Sequence, residues 1–196
     1  KPIYKDALKK QYAEIFAEGD RPLLLHLATT IYQVGGHVNY LERIAEWDES
    51  HRHLLVITRQ EGYAYNPQTI AFFKRSGGGV IFLEGNVSDR VAVLKSLASL
   101  ADQIILHQHQ DDPTGVMALS GSNCKVGMVN HSDHTFWLGA SIVSYTMEFR
   151  KESLWVTREY RGIPETRYVR LPVKEPKVNK EGKDKDMRQE FGIPED

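Results

Sequence analysis

A chain of 196 residues, 41% hydrophobic and 26% charged, can bury a core without disulfides and has the composition of an ordinary globular protein. A formal net charge of −1 provides no global field for nucleic acid or an anionic membrane, and no apolar run approaches the ~18–20 residues that span a bilayer. The single cysteine, Cys124, excludes an internal disulfide and fits a reducing, cytoplasmic setting.

Residues 1–20 carry Ile3, Ala7, Leu8, Tyr12 and Ile15 at helical spacing before Gly19, which predicts an amphipathic N-terminal helix packed on or preceding the domain. The run at 23–27 (LLLHL) is apolar rather than alternating, as expected of a strand covered on both faces of a parallel sheet. A turn with Gly35 and Gly36 follows, then a helical pattern over 38–47. The unit repeats in kind. Strands are predicted at 53–58, 79–85, 103–107, 125–130, 141–148 and 166–173. Helices are predicted at 66–77 with Pro67 in the first turn, at 88–100 with Ser88 as N-cap, at 111–121 and at 153–161. Residues 132–140 read as a short helix or turn, in which Phe136 and Trp137 are core anchors. Strands alternating with helices at roughly 25-residue intervals predict an α/β fold, a Rossmann-like parallel sheet with helices on both faces. Such a sheet brings all strand carboxyl ends, and so its ligand site, to one edge.

Three places could carry chemistry. Gly35, Gly36 and His37 stand where the first strand turns into a helix. A glycine pair there either lets a ligand approach the backbone beside free helix N–H groups or makes a tight turn only. At 107–112, HQHQDD is similar to the HxHxDH zinc motif of metallo-β-lactamase-like hydrolases, and His131 and His134 would complete a ligand set. Against zinc, the strands lack the alternating pattern of that sandwich. His107 and His109 then line a cleft without metal, and Asp111 or Asp112 caps the following helix. His131, at the end of an apolar strand and beside Asp133, suits a base or a hydrogen-bond partner for substrate. The charged run with Arg158, Glu159, Arg161 and Arg167 reads as a solvated helix face.

Four stretches in this order resemble the N-terminal domain of a GT-B-fold glycosyltransferase, of the retaining, family 4/1-like group. They are LLLHLATTIYQVGGHV at 23–38, QIILHQHQ at 103–110, KVGMVNHSDH at 125–134 and SLWVTREYRGIPETRYVRLPV at 153–173. The resemblance implies a Rossmann-like domain over 21–173. It also implies a charged linker over 174–196 that ends in RQEFGIPED, the form of a helix leading into a second, C-terminal domain not carried by these residues. It implies transfer of a sugar from a nucleotide-sugar, a co-substrate, to a glycan, lipid or small-molecule acceptor, with no metal or other cofactor. Carried over by position, Gly35, Gly36 and His37 would lie at the donor diphosphate and His131 at the donor sugar. His107, His109, Asp133 and His134 would be cleft candidates. The zinc hydrolase and a non-catalytic α/β binding domain stand as alternatives. The first residue is Lys rather than Met, which suggests a processed or excised chain, and without the second domain these residues are expected to be inactive alone.

Overall fold

A strand apolar at every position has no side to show to water, so helices must cover both its faces. In the computed structural model, which describes residues 2–16, 20–33, 36–60, 62–163 and 168–170, β1 (Leu23–Ala28) is such a strand, buried at all six positions. It pairs in parallel with β2 (Arg52–Ile57) on one side and β4 (Gln103–His107) on the other. β3 (Gly79–Phe82), β5 (Lys125–Asn130), β6 (Tyr145–Glu148) and β7 (Tyr168–Arg170) complete a seven-stranded parallel sheet in the order β3-β2-β1-β4-β5-β6-β7. The fold is the expected one: α/β and Rossmann-like.

Side chains alternate across the sheet. Leu25, Leu27, Val56 and Leu106 pack on one face with Leu94 and Leu97 of α5 (Val87–Ala98) and Leu119 of α6 (Thr114–Leu119). α1 (Pro2–Gln11), the turn at Tyr12 and α2 (Ala13–Phe16) add buried Leu8 and half-buried Tyr12, Ile15 and Phe16 to that face, as two short helices rather than one run over 1–20. On the other face Ala28, Leu55 and Ile57 meet Val38 and Leu41 of α3 (Gly36–Trp47) and Phe73 of α4 (Pro67–Arg75). Each fully buried leucine removes enough apolar surface from water to contribute about 2 kcal/mol. Among the described residues no helix is long and apolar enough to cross a membrane.

Local signals decide the ends. Pro67 is the first residue of α4, where its missing N–H costs nothing, and Asn66 caps the helix through Gln68 N–H. α5 starts at Val87 rather than after Ser88: Asn86 and Asp89 form a reciprocal capping box, and Ser88 lies inside the first turn. Asp112 accepts from Thr114 N–H at the start of α6, as expected of one of the two aspartates. Residues 131–139 are turns, not helix, and the strand expected over 141–148 covers only its second half. α7 (Lys151–Arg161) stops at Gly162, whose φ of 65° is the left-handed conformation that glycine adopts freely. Arg167 and the 174–196 segment lie outside the described residues.

β1 and β4 are neighbours, but the chain leaves them toward opposite sides of the sheet. The loops after their carboxyl ends therefore part and open a crevice.

Candidate functional site

The loop after β1 brings Thr29, Thr30 and Tyr32 to the carboxyl edge, and α3 begins there with Gly36 and His37. Thr29 joins the two sides of the crevice. Its hydroxyl donates to Asp112 Oδ2 at 2.8 Å and accepts from His109 N–H, in the loop after β4, at 2.8 Å. Thr58, beyond β2, also donates to Asp112 Oδ2. A buried carboxylate with three donors is held as a fixed post.

Around this post the rings of His37, His109 and His131 come together. His37 lies 5.9 Å from both His109 and His131 between ring centres, and His109 lies 6.5 Å from His131. Tyr32 packs on His37 at 5.4 Å, on His109 at 5.9 Å and on Tyr63 at 5.2 Å. His37 Nε2 stands 2.9 Å from the Thr30 carbonyl oxygen, which only accepts, so Nε2 donates to it. Burial pushes the His131 imidazole down to about 4. The Val129 carbonyl near Nδ1 opposes this, and His37 and His109 reinforce it. His109 is lowered first by burial and then by His37. At neutral pH His109 and His131 are therefore uncharged, suited to hydrogen bonding and not to holding an anion by charge. A cavity of about 250 Å³ lined by Thr30, Tyr32, Arg59, Tyr63 and His109 opens beside the cluster. A Cβ added at Gly36 would meet nothing within 4 Å, and the residue has no positive φ. Neither packing nor strain among the described residues requires glycine there. Gly35 lies outside the described residues.

The HQHQDD stretch does not act as one set. His107, last in β4, turns into the sheet toward His26, while His109 turns to the crevice. Asp112 belongs to the threonines and α6, and Asp111 pairs with Arg59 at 3.1 Å. Among the described residues no three His, Cys, Asp or Glu side chains are placed to hold a metal ion. The zinc alternative thus lacks a ligand set there.

Asp133 and His134 part company too. Asp133 is buried and takes a two-pronged ion pair from Arg150, Nε to Oδ2 at 2.8 Å and Nη2 to Oδ1 at 2.6 Å, which holds its carboxyl below the usual range. The His134 side chain is 74% exposed and rests 3.3 Å from Asp133. Trp137 is buried as expected, but Phe136 is 80% exposed and anchors nothing. The loop is held from α7. Arg161 donates to the carbonyls of Asp133 at 2.8 Å and Thr135 at 2.7 Å and lies over the Trp137 ring at 4.9 Å. Arg161 is therefore no part of a solvated face, whereas Arg158 and Glu159 form an exposed pair. Beneath the loop, fully buried Glu148 accepts from Asn130 Nδ2 at 2.9 and 3.1 Å and from Thr157 Oγ1 at 2.9 Å, fixing the end of β5 that presents His131.

Sequence reading missed Tyr32 and Tyr63, which are ordinary loop tyrosines until strand order places them, and it passed over His26 and His53. The latter two had a signal: a histidine inside a strand apolar on both faces needs a buried partner.

No protein-family model matches the chain, and no curated protein matches it. Among solved structures it is similar to the catalytic domain of starch synthase IV from Arabidopsis thaliana bound to ADP and acarbose, with a TM-score of 0.40 and 16% identity over 82% of this chain and 34% of that one. It is also similar to the yeast protein YNL200c, with a TM-score of 0.45 and 10% identity over 97% of this chain and 80% of that one. The chain spans about a third of the starch synthase domain.

Proposed function

We propose that the chain is the acceptor-side half of a retaining GT-B glycosyltransferase that moves a sugar from a nucleotide-sugar to a hydroxyl-bearing acceptor. The observation that carries this reading is the meeting of His37, His109 and His131 at the point where the strand order reverses. The motifs at 23–38, 103–110 and 125–134, through which the sequence resembles that family, all end there.

In this reading the donor diphosphate lies at the start of α3. Open space over Gly36 admits it, and the first-turn N–H groups face it. His131 stands at the donor sugar. With Nδ1 turned to the Val129 carbonyl, its Nε2 lone pair accepts from a sugar hydroxyl. The cavity between Tyr32, Tyr63 and His109 takes the acceptor, with aromatic faces for its apolar side and Arg59 at its rim. The bond between the anomeric carbon and the diphosphate breaks, the acceptor oxygen bonds on the same face, and its proton leaves with the diphosphate. Asp133 and His134 sit beside the site, Asp133 as the anchor of Arg150. The nucleotide-sugar is a co-substrate, and the reaction as written uses no metal. In this reading a second domain closes on the crevice and supplies the rest of the nucleotide pocket.

The test is transfer by the polypeptide extended through that domain, with and without His131→Ala. Loss of a positioned hydrogen-bonding imidazole is expected to lower turnover by ~10²–10³-fold at unchanged circular dichroism. Unchanged turnover would remove His131 from the site. Stoichiometric zinc lost on His107→Ala would return the hydrolase alternative.

A further inference from the structure

Three histidines inside the sheet are left over by the cleft. His26 is the fourth residue of β1, His53 the second of β2 and His107 the last of β4, and each is at most 1% exposed. All three fall on the face under α3 and α4, where the edge of the Phe73 ring meets His26 at 5.6 Å. They are joined in a row. His107 Nε2 lies 3.1 Å from His26 Nδ1, His26 Nε2 lies 3.0 Å from His53 Nδ1, and His53 Nε2 lies 2.7 Å from the Asp48 carbonyl oxygen.

The last contact sets the direction of the rest. A carbonyl oxygen only accepts, so His53 carries a proton on Nε2. A neutral imidazole has one N–H, so His53 Nδ1 accepts and His26 must donate from Nε2. By the same step His26 Nδ1 accepts and His107 donates from Nε2. The row ends in a lone pair on His107 Nδ1, an atom buried from solvent with no hydrogen-bond partner among the described residues. His131 and His37 of the crevice act on this ring electrostatically. At the other end, His53 borders a second pocket of about 360 Å³ at the amino edge of the sheet, shared with Arg21, Asp48 and His51.

We propose that His107, His26 and His53 form a proton relay through the sheet, from the carboxyl end of β4 to the pocket around Asp48 and His51. A hydroxyl or hydronium admitted to His107 Nδ1 when the end of β4 opens gives it a proton. The His107 Nε2–H bond breaks, its electron pair stays on Nε2, and the proton bonds to His26 Nδ1. His26 Nε2–H breaks in the same way, and its proton bonds to His53 Nδ1. His53 is then an imidazolium, and His26 and His107 are neutral with their protons on Nδ1. One charge has crossed the sheet with no other reactant, and the reverse run restores the start.

His53 is the member suited to hold the charge. Burial holds its imidazole below the ordinary value, as it does the other two, and His51 and Arg21 add to this, but at His53 alone a partner opposes it: the Asp48 carbonyl keeps its Nε2–H and the Asp48 carboxylate favours the cation. Glu46, Glu49 and Arg75 line the same pocket, and His51 is itself paired with Asp48 Oδ2 at 2.7 Å. His26, fully enclosed between two imidazoles and Phe73, has no such counter-charge among the described residues and only passes the proton on. The relay stands on this row of contacts whichever reaction the crevice performs.

Nitrogen-15 NMR of the full chain with labelled histidine rings tests it. At pH 7.5 His26, His53 and His107 should all be Nε2–H tautomers, with couplings across both N–H···N bonds. On acidification His53 should gain charge, and His26 and His107 should switch to Nδ1–H at the same midpoint. In His26→Leu, His53 should still titrate while His107 no longer follows. Four results overturn the relay: a His107 that keeps Nε2–H while His53 charges, a row running the other way at pH 7.5, a His107 switch that survives His26→Leu, or no charging of His53 before acid unfolding. Should His26→Leu not fold, the midpoints in the unaltered chain decide.

Discussion

Burial sets the state of single imidazoles here, and it leaves a mark on stability that needs no substrate to read. His107 is pushed down to about 3 and His131 to about 4, in both cases first by burial, and His26 is also well below its ordinary value. An unfolded histidine binds its proton near pH 6.5, so between there and the lowered values the unfolded chain holds more protons than the folded one. Stability is therefore complete above about pH 6.5 and is lost as pH falls toward 4 and then 3. Each such histidine contributes about 1.4 kcal/mol per pH unit within its window. The melting temperature is expected to fall between pH 7 and 5, before most carboxylates titrate, and to fall less steeply in His131→Phe. A flat profile over that range would mean that water reaches these rings. At this scale the sequence set His131 apart as the group at the substrate but placed His107 and His109 together on one cleft. One residue separates His107 from His109, yet one turns to the sheet interior and the other to the crevice, because β4 ends between them.

Elements were legible where their pattern comes from the backbone and blurred where it comes from tertiary contacts. The runs at 23–27, 53–58, 103–107 and 125–130 became β1, β2, β4 and β5 nearly residue for residue, since burial on both faces demands an uninterrupted apolar stretch. The 131–139 loop was not legible. Its shape depends on Arg161, twenty-odd residues further along, whose fork reaches two loop carbonyls and the Thr157 hydroxyl and covers Trp137. Replacing Arg161 by Ala removes three hydrogen bonds from a charged donor together with the ring contact. It is expected to cost ~2–3 kcal/mol, read as a lower urea midpoint, and to raise amide exchange along 131–137. Arg161→Lys should recover little, because a single ammonium cannot span acceptors that the planar fork reaches together. An unchanged midpoint in Arg161→Ala would show that Glu148 and Asn130 hold the loop by themselves. Asn86→Ala tests the helix start that the sequence put two residues too late. Loss of the capping box should cost about 1 kcal/mol, whereas Ser88→Ala should be near neutral.

At the scale of the whole molecule, alternation of strands and helices told that ligands would sit at one edge of a parallel sheet. It did not tell which loops meet there, because the adjacency of β1 and β4 is a property of strand order. That adjacency makes the crevice, and the size of the crevice bears on activity. Sites for ligands of this kind are typically ~300–1,000 Å³ and bury most of the ligand surface. The cavity beside His109 has about 250 Å³, room for one ring and its substituents, and there is open space over Gly36, where the proposed donor would lie. A nucleotide-sugar laid there would touch protein on one side only. The 196-residue chain alone is therefore expected to bind a nucleotide-sugar with a Kd of ~1 mM or weaker and to show no turnover. The polypeptide extended through a second domain should transfer sugar with retention at the anomeric carbon. Titration of the isolated chain and NMR of the product of the longer one measure both arms. Robust turnover by these residues alone would place the whole active site within the crevice of β1, β4 and β5, and would remove the reason for a second wall.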